Sequence, residues 1–248
     1  MNTHMRHEAD QSPPLESACR VCQLSPVRGQ ESVDQAANRA CVRNCETRSL
    51  AAGRTLVREG EPLHQLYVLC AGWAFYYKQL PDGRRQIAAF LLPGDTLMLE
   101  AAYFPSFPAP FSVKALSSIV VCGFAAADAM RLLQGSEARQ QELYRARYQL
   151  MQSLHSRLFD LGRRTARGRL AQLVLELHER LGSRGMVHDD GSFDFPVRQE
   201  HLADALGLTA VYINRTLAQL RREGLMTIEN GRLTVFDAPA LRQVAQEE

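Results

Sequence analysis

The stretch QEHLADALGLTAVYINRTLAQLRR at positions 199–222 decides the fold of the C-terminal part of the chain. Its first third carries Leu202 and Leu206 on one face, which predicts a short amphipathic helix. Gly207 permits the backbone of a tight turn, and Thr209 is a favourable N-cap for a second helix. Two helices joined in this way predict a helix-turn-helix, which places its second helix in the major groove of DNA.

The second helix divides its faces between packing and DNA contact. Ile213, Leu217 and Leu220 recur at helical spacing, so we expect them to pack inward. The N-terminal half of the exposed face and the basic residues in the C-terminal half of the helix can therefore contact DNA. The predicted DNA-contacting residues are Thr209, Ala210, Val211, Tyr212, Asn214, Arg215 and Arg221.

A hairpin signal follows this helix. The sequence REGLMTIENGRLTVFD at 222–237 contains two β-prone runs around Asn230-Gly231, the dipeptide most favourable for a two-residue β-turn. A helix-turn-helix followed by a hairpin predicts a winged helix. The alternative is a helical pair that only packs, and it would leave the hairpin and the basic residues Arg215 and Arg232 unexplained.

Length and charge limit the classes of protein to consider. A chain of 248 residues is long for one domain, which favours two. It carries 29 Lys and Arg against 27 Asp and Glu, so affinity for nucleic acid must come from the local placement of basic residues. No apolar run is long enough to span a bilayer, and the N-terminal residues lack the apolar segment of a signal peptide. We therefore expect a cytoplasmic protein with no membrane partner.

Upstream of the helix-turn-helix, the composition changes from polar to β-prone to helical. The polar, proline-containing start predicts disorder, and short β-prone runs separated by Pro-Asp-Gly and Pro-Gly-Asp turns predict a β-roll or barrel. A long segment without Gly or Pro predicts a long helix. The predicted domains are a leader (1–17), a cysteine-containing segment (18–48), a β-roll (49–135), a long helix (136–163) and a winged-helix domain (164–248).

The long helix carries an apolar stripe that has two possible uses. A stripe of this length can pair with the same helix of a second chain as a coiled coil, or it can cover the β-roll as a core helix. We expect a homodimer through 136–163, and the core helix stays open as the alternative. The residues of the stripe are Leu143, Leu150, Met151, Leu154, Leu158 and Leu161. Downstream, Gly162 and RRTARG (163–168) predict a hinge, and SRGMVHDDGSFDFPV (183–197) predicts a connecting loop.

The order of these segments resembles the Crp/Fnr family of bacterial transcription regulators. The resemblance is carried by GWAFYYKQLPDGRRQIAAFLLPGD (72–95), RRTARGRLAQLVLELHERL (163–181) and LADALGLTAVYINRTLAQLRREGL (202–225), and it is closer to the Fnr-like branch. It implies an α+β fold made of a cyclic-nucleotide-binding-like β-roll, a long dimerisation helix and a C-terminal winged helix-turn-helix. It also implies a homodimer that binds a two-fold symmetric promoter site on double-stranded DNA and contacts RNA polymerase.

The chain departs from family members that bind cyclic AMP. Those members carry an Arg and a Ser or Thr that bind the phosphate after the Pro-Gly-Asp turn, and a guanidinium fork suits a cyclic phosphate. The corresponding segment here, AAYFPSFPAPFSVKAL (101–116), contains no Arg, although Glu100 is kept. The sequence therefore predicts that cyclic AMP is not the ligand.

The recognition helix also departs from the familiar pattern. Many family members place a Glu three residues before the shared Gly, Ser or Asn, and that Glu accepts hydrogen bonds from cytosine. Val211 stands at this position. Arg215 matches the family's arginine and is expected to bind guanine in bidentate fashion beside Asn214, while Tyr212 can reach a phosphate or a thymine methyl. A phosphate contact without base reading stays open for Arg215. We expect an unfamiliar half-site.

Six cysteines in a reducing compartment favour metal, cluster or redox roles over disulfides. The resemblance to Fnr-like oxygen sensors implies an iron–sulfur cluster of the 4Fe-4S type, with Cys19, Cys22 and Cys122 as ligands. The family's third leader cysteine is missing, so Cys41 or Cys45 would have to supply the fourth thiolate. The cluster would make the protein respond to oxygen or redox state.

Other interpretations of the cysteines and of the whole chain stay open. Cys19, Cys22, Cys41 and Cys45 have a spacing close to that of zinc-ribbon sites, and a third possibility is that no metal binds. In either case the regulator would respond to its abundance or to an unknown small effector. An enzyme on a β-roll scaffold is a remote alternative, because the sequence has no nucleophile elbow, phosphate loop or zinc-protease helix. Cys70 is expected in the core, and His188, Asp189 and Asp190 in a solvated turn.

Overall fold

The computed structural model describes residues 45–134 and 137–247, so the predicted leader and most of the cysteine-containing segment lie outside it. The strands are β1 (Glu46–Leu50), β2 (Thr55–Val57), β3 (Gln65–Ala71), β4 (Ala74–Gln79), β5 (Arg85–Leu91), β6 (Thr96–Leu97), β7 (Ser112–Ala115), β8 (Ile119–Ala125), β9 (Ser192–Asp194), β10 (Met226–Glu229) and β11 (Arg232–Val235). The helices are α1 (Glu100–Tyr103), α2 (Ala126–Gln134), α3 (Glu137–Arg163), α4 (Ala166–Gly182), α5 (Gln199–Leu206), α6 (Ala210–Arg222) and α7 (Ala238–Ala245). None of these helices has an apolar stretch of the length needed to cross a bilayer.

The first eight strands pair into two antiparallel sheets, in the orders β1-β8-β3-β6 and β2-β7-β4-β5. Side chains alternate between the two faces of a strand, and in β4 both faces are apolar. Ala74 and Tyr76 lie in the core of the roll, whereas Phe75 lies in a second core that it shares with the C-terminal helices. Strand β5 repeats this alternation with Ala89 and Phe90. The second sheet is therefore buried on both faces.

Helix α3 sends its apolar residues in two directions. Leu143 is buried in the core of the roll, and Leu150 packs against the same core. Met151 and Leu158 face solvent, with Leu158 73 % exposed. The predicted single stripe is therefore wrong. Neighbouring residues of a helix are rotated by about 100°, so the pair 143 and 150 points to the roll while the pair 151 and 158 points away from it.

The C-terminal domain is the predicted winged helix with one additional strand. The segment 183–197 is not only a connecting loop, because it contains β9, which pairs with β11 and places Phe193 opposite Leu233. Phe193 and Phe195 are buried in the domain core, and their alternation with polar residues is a period-two signal. The predicted hinge is also shorter than expected: α3 continues through Gly162, and Thr165 caps α4 by accepting a hydrogen bond from the Gly168 N–H.

Ion pairs fix the C-terminal domain to the outer face of the second sheet. Asp95, in the Pro-Gly-Asp turn after β5, accepts hydrogen bonds from Arg180 of α4 and from Arg184 in the turn that follows α4, both at 2.6 Å. Burial opposes ionisation of Asp95, yet the two guanidinium groups outweigh it and hold its pKa below the usual range. A second pair joins Arg85 Nε of β5 to Asp204 Oδ2 of α5 at 2.8 Å. The first helix of the helix-turn-helix is thereby held against the roll.

Candidate nucleic-acid interface

The turn of the helix-turn-helix uses the residues that the sequence predicts. Gly207 adopts the left-handed conformation, with φ 64° and ψ 38°, and its N–H donates a hydrogen bond to Ala203 O. A glycine is favoured here because a Cβ strains this conformation. Thr209 then caps α6, since its hydroxyl oxygen accepts the N–H of Tyr212 at 3.2 Å. These two contacts set where α6 starts and the direction in which it leaves the turn.

Helix α6 has one buried face and one exposed face. Ile213 and Leu220 are fully buried, and Leu217 packs at the edge of the same core. Val211 is the most exposed of the large apolar residues on this helix, at 69 %. All seven residues predicted to contact DNA are exposed: Thr209, Ala210, Val211, Tyr212, Asn214, Arg215 and Arg221.

The two predicted base-reading residues have different surroundings. Within the part of the chain that the structure describes, the Arg215 side chain makes no hydrogen bond or ion pair, so its guanidinium group is free to bind a base or phosphate. Asn214 Nδ2 donates a hydrogen bond to Gln199 Oε1 of α5, at 3.3 Å. The sequence interpretation did not include Gln199, because it precedes α6 by one helix and carries no charge.

The start of α5 is held by a histidine cap. His201 Nδ1 accepts the backbone N–H of Arg198 at 3.2 Å, and the imidazole ring lies 5.7 Å from the ring of Phe75 on the roll. Burial lowers the pKa of His201, and the neighbouring Arg85 lowers it further. The neutral ring is the form that accepts this hydrogen bond. Gln199, the first residue of α5, therefore has a fixed position beside α6.

A basic groove of about 460 Å³ runs between the start of α5, the C-terminal half of α6 and strand β10. Its rim carries Arg198, Arg221 and Arg222, and Asn214 lies at the same groove. Arg221 also bonds Glu229 of the hairpin at 2.6 Å. Clustered guanidinium groups beside a recognition helix suit a phosphate backbone, because phosphate contacts supply most of the sequence-independent affinity for DNA.

The predicted hairpin forms beside this groove. Asn230 and Gly231 both have positive φ, at 51° and 74°, as the tight two-residue turn requires. Strands β10 and β11 pair from Met226 opposite Val235 to Glu229 opposite Arg232. The hairpin is therefore a wing next to the recognition helix, as the Asn-Gly signal predicts.

Three cysteine side chains that form no disulfide meet in the roll, far along the chain from the groove. Cys70 Sγ donates to Cys122 Sγ at 3.2 Å, and both side chains are buried. The Cys45 thiol also forms a hydrogen bond with Cys122. This hydrogen bond together with burial raises the pKa of Cys45 far above its ordinary value. The bond from Cys45 lowers the pKa of Cys122, but the Cys70 contact and burial outweigh it and raise this pKa to about 12.

Only part of the predicted cysteine set can be placed. The structure brings Cys45 next to Cys122, as a shared ligand set requires, and adds Cys70, which lies in the core as predicted. The other three predicted ligands, Cys19, Cys22 and Cys41, lie outside the described residues. Inside the described ranges, no set of three or more Cys, His, Asp or Glu side chains is arranged to hold a metal ion.

Known proteins match both halves of the chain. Residues 47–136 match the cyclic nucleotide-binding domain, and residues 168–244 match the Crp-like helix-turn-helix domain. The chain is 32 % identical to the nitrogen fixation regulation protein FixK of Bradyrhizobium diazoefficiens, over 79 % of this chain and 80 % of that one. It is 34 % identical to the transcriptional activatory protein AadR of Rhodopseudomonas palustris, over 73 % of this chain and 74 % of that one. This chain belongs to the Crp/Fnr family.

A solved structure shares the whole architecture. The structure of FixK2 from Bradyrhizobium japonicum superposes with a TM-score of 0.72 at 25 % identity, over 82 % of this chain and 98 % of that one. The predicted fold class is confirmed: a β-roll of the cyclic nucleotide-binding type, a long helix and a C-terminal helix-turn-helix. Like other Crp/Fnr proteins, this chain is a DNA-binding transcription regulator and not an enzyme.

The region of this Crp/Fnr protein that matches the cyclic nucleotide-binding domain contains an ion pair between α1 and α3. Glu100, the first residue of α1, bonds Arg147 of α3 at 2.5 Å. Nearby, the hydroxyl oxygen of the buried Tyr76 accepts the N–H of Met98 at 3.2 Å. The carboxylate of Glu100 is therefore paired with a guanidinium group of the chain itself.

The remaining acidic cluster is a surface turn. Asp189 is exposed, and the carboxylate of Asp190 accepts the N–H of Ser192 at 2.9 Å. His188 closes the same turn by donating its backbone N–H to Ser192 O at 2.8 Å. These contacts stabilise the entry into β9, as expected for a solvated turn.

Proposed function

We propose that this Crp/Fnr regulator binds a two-fold symmetric promoter site as a homodimer in the cytoplasm, where it contacts RNA polymerase. The observation that supports the dimer is the solvent-facing side of α3. Its exposed residues follow one another at intervals of four and three, the spacing of a coiled-coil seam. The residues of this seam are Tyr144, Tyr148, Met151, His155 and Leu158.

The dimer is tested with a charge in the seam. Leu158→Asp places a carboxylate at a side chain that is 73 % exposed, so the fold of the single chain should be kept. We expect the variant to be a monomer by sedimentation equilibrium and to lose affinity for a full two-fold site. Gln149→Asp is the matched control, because it adds the same charge on the same helix outside the seam. A dimeric Leu158→Asp variant would contradict the proposed seam.

We propose that Asn214 and Arg215 read the bases of each half-site. Both are exposed on the N-terminal half of α6, beside a groove whose basic rim suits phosphates. Val211 replaces the acidic reader of familiar half-sites and can contact only apolar groups, such as a thymine methyl. Selection of bound sequences from a random DNA pool tests this assignment. A half-site that keeps the base preference of familiar half-sites at the position facing Val211 would contradict it.

The sensory input that we propose is oxygen or redox state, through a 4Fe-4S cluster held by Cys19, Cys22, Cys122 and Cys45. The contact between Cys45 and Cys122 supports this set, and it favours Cys45 over Cys41 as the fourth ligand. When bound, a cluster of this kind supplies an oxygen-labile redox centre. The chain contributes soft thiolate ligands and a largely buried position that limits the access of solvent.

Anaerobic purification tests the cluster directly. We expect iron and sulfide in equal amounts and a visible absorption band that fades in air. Colourless protein that contains zinc would instead indicate a structural site of Cys19, Cys22, Cys41 and Cys45. Colourless protein without metal would leave a regulator that responds to its abundance or to an unknown effector. Substituting Cys122 by Ser should abolish the band, whereas Cys70→Ser should keep it.

A further inference from the structure

The hydrogen bond between the two helices of the helix-turn-helix sets the orientation of a side chain that faces DNA. Asn214 Nδ2 donates to Gln199 Oε1 at 3.3 Å. Both side chains lie at the same groove, and both residues are exposed. Because an amide has two N–H donors on one side and a carbonyl acceptor on the other, this bond fixes which side of Asn214 faces the helix.

The orientation matters for base reading. Adenine presents an acceptor, N7, beside a donor, N6, in the major groove, and a paired reader needs one N–H and one carbonyl oxygen. The bond to Gln199 uses one N–H of Asn214, so the second N–H and Oδ1 remain for the base. Without this partner, the amide can rotate by 180° about its last torsion and present the wrong pair of groups.

The helix positions of Gln199 and Asn214 are fixed relative to each other. Gln199 is the first residue of α5, whose start is capped by His201 and whose far end is held to the roll by the pair between Asp204 and Arg85. Asn214 lies one turn into α6, whose start is fixed by the cap on Thr209. An anchored acceptor can therefore hold the Asn214 amide before DNA binds, which reduces the entropy lost on binding.

We propose that Gln199 is a positioning residue for specificity, which orients the Asn214 amide to read adenine in each half-site. This inference rests on the proposed role of Asn214 as a base reader. Gln199 makes no base contact in this arrangement and acts only through Asn214.

The test begins with the base pair that Asn214 reads. Selection of bound sequences with the wild-type protein and with Asn214→Ala identifies the position at which preference is lost. Fluorescence anisotropy then gives the Kd for the selected site and for the same site changed at that one base pair. We expect wild-type discrimination of about tenfold or more, the usual range for one paired amide contact.

Two substitutions of Gln199 separate orientation from other roles. Gln199→Met keeps the length of the side chain but removes the acceptor, so we expect discrimination at that base pair to fall to about threefold or less, with other positions unchanged. Gln199→Glu can only accept from Asn214, so it should keep the discrimination while it weakens binding to every sequence through charge repulsion. Adding Gln199→Met to Asn214→Ala should change the discrimination no further.

The outcomes distinguish this inference from the proposed base reading. If Asn214→Ala leaves every base preference unchanged, Asn214 is not a reader and both proposals fail. If Asn214→Ala removes a preference that Gln199→Met keeps, only the positioning role fails. Equal weakening of all sequences by Gln199→Met would make Gln199 a phosphate contact and would also overturn the positioning role. Gln243→Met, an exposed glutamine on α7, is the matched control and should change neither affinity nor preference.

Discussion

Asp95 is the residue whose loss should most weaken the attachment of the DNA-binding domain to the roll. Its carboxylate accepts the N–H of Leu92 at 2.8 Å and one guanidinium N–H from each of Arg180 and Arg184. The side chain of Arg184 is only 9 % exposed, and that of Asp95 is 12 % exposed. Asp95→Ala therefore leaves two largely desolvated cations facing a cavity.

The size of the destabilisation depends on the hydrogen bonds that the two arginines keep in the variant. Removing one partner of a buried ion pair costs about 3–5 kcal/mol. Arg180 retains a bond to Phe90 O, and Arg184 retains one to Pro93 O, so we expect the low end, about 3 kcal/mol. For a chain of this size, this loss lowers Tm by about 6–12 °C. Urea and thermal unfolding at pH 7 measure both quantities.

The control for Asp95→Ala is an ion pair of similar length on the surface. Asp82 bonds Arg84 at 2.7 Å, but their side chains are 49 % and 79 % exposed. Solvent screens such a pair, and the hydrogen bond from the Arg84 N–H to Asp82 Oδ1 is also exposed, so Asp82→Ala should cost less than about 1 kcal/mol. If Asp95→Ala costs no more than Asp82→Ala, the two arginines do not hold the domains together.

The same carboxylate predicts a pH dependence with a definite sign. The pKa of Asp95 is lowered in the folded chain, so its ionised form contributes stability at every pH above the ordinary pKa of an aspartate, about 3.9. This contribution is lost as pH falls through the folded pKa, below about pH 4. The difference in unfolding free energy between wild type and Asp95→Ala should therefore be constant from pH 5 to 8 and shrink in acid, as urea titrations at several pH values would measure.

Three further substitutions test the core and the recognition helix. A Cβ on Gly72 would lie 2.1 Å from Ser118 O on a backbone with φ 75°, so Gly72→Ala should destabilise the roll by more than about 3 kcal/mol in urea unfolding; a near-neutral result would contradict the register of β3 and β8. Ile213 is fully buried, and Ile213→Ala should cost about 2–5 kcal/mol while leaving the DNA-contacting face in place. Arg215→Ala should cost about 1–3 kcal/mol on the cognate site and relax one base pair, whereas equal weakening on all sequences would make Arg215 a phosphate contact.

Local signals predicted the DNA-binding domain well because they act within a few residues. The Gly207 turn, the Thr209 cap and the Asn230-Gly231 hairpin each depend on backbone conformations that few residue types adopt, and all three form as expected. Strand β9 escaped prediction because it is three residues long and is stabilised by pairing with β11, 40 residues away in register.

The surfaces that side chains pack against were harder to predict than the helices and strands themselves. The sequence placed Leu143 and Leu158 on one stripe and left out Tyr144 and Tyr148, because an apolar side chain does not reveal which surface it will meet. The meeting of Cys45, Cys70 and Cys122 depends on the pairing of β1, β3 and β8, and on the irregular register of β3 between Leu69 and Ala71. Strand pairing of this kind is set by the whole sheet and not by a local pattern.

The proposed sensing site and the DNA-binding domain lie on different sides of the roll. The thiols of Cys70 and Cys122 lie in the same core as Leu143 of α3, whereas the DNA-binding domain docks on the outer face of β4 and β5. A structural change at the thiols would therefore reach the part of α3 that packs on the roll before it reaches the interface with the DNA-binding domain. Because α3 also carries the proposed seam, we infer that a signal from the thiols acts first on the pairing of two chains, and only through that pairing on the spacing of two recognition helices. The rigid attachment through Asp95 would then carry each recognition helix along with its own roll.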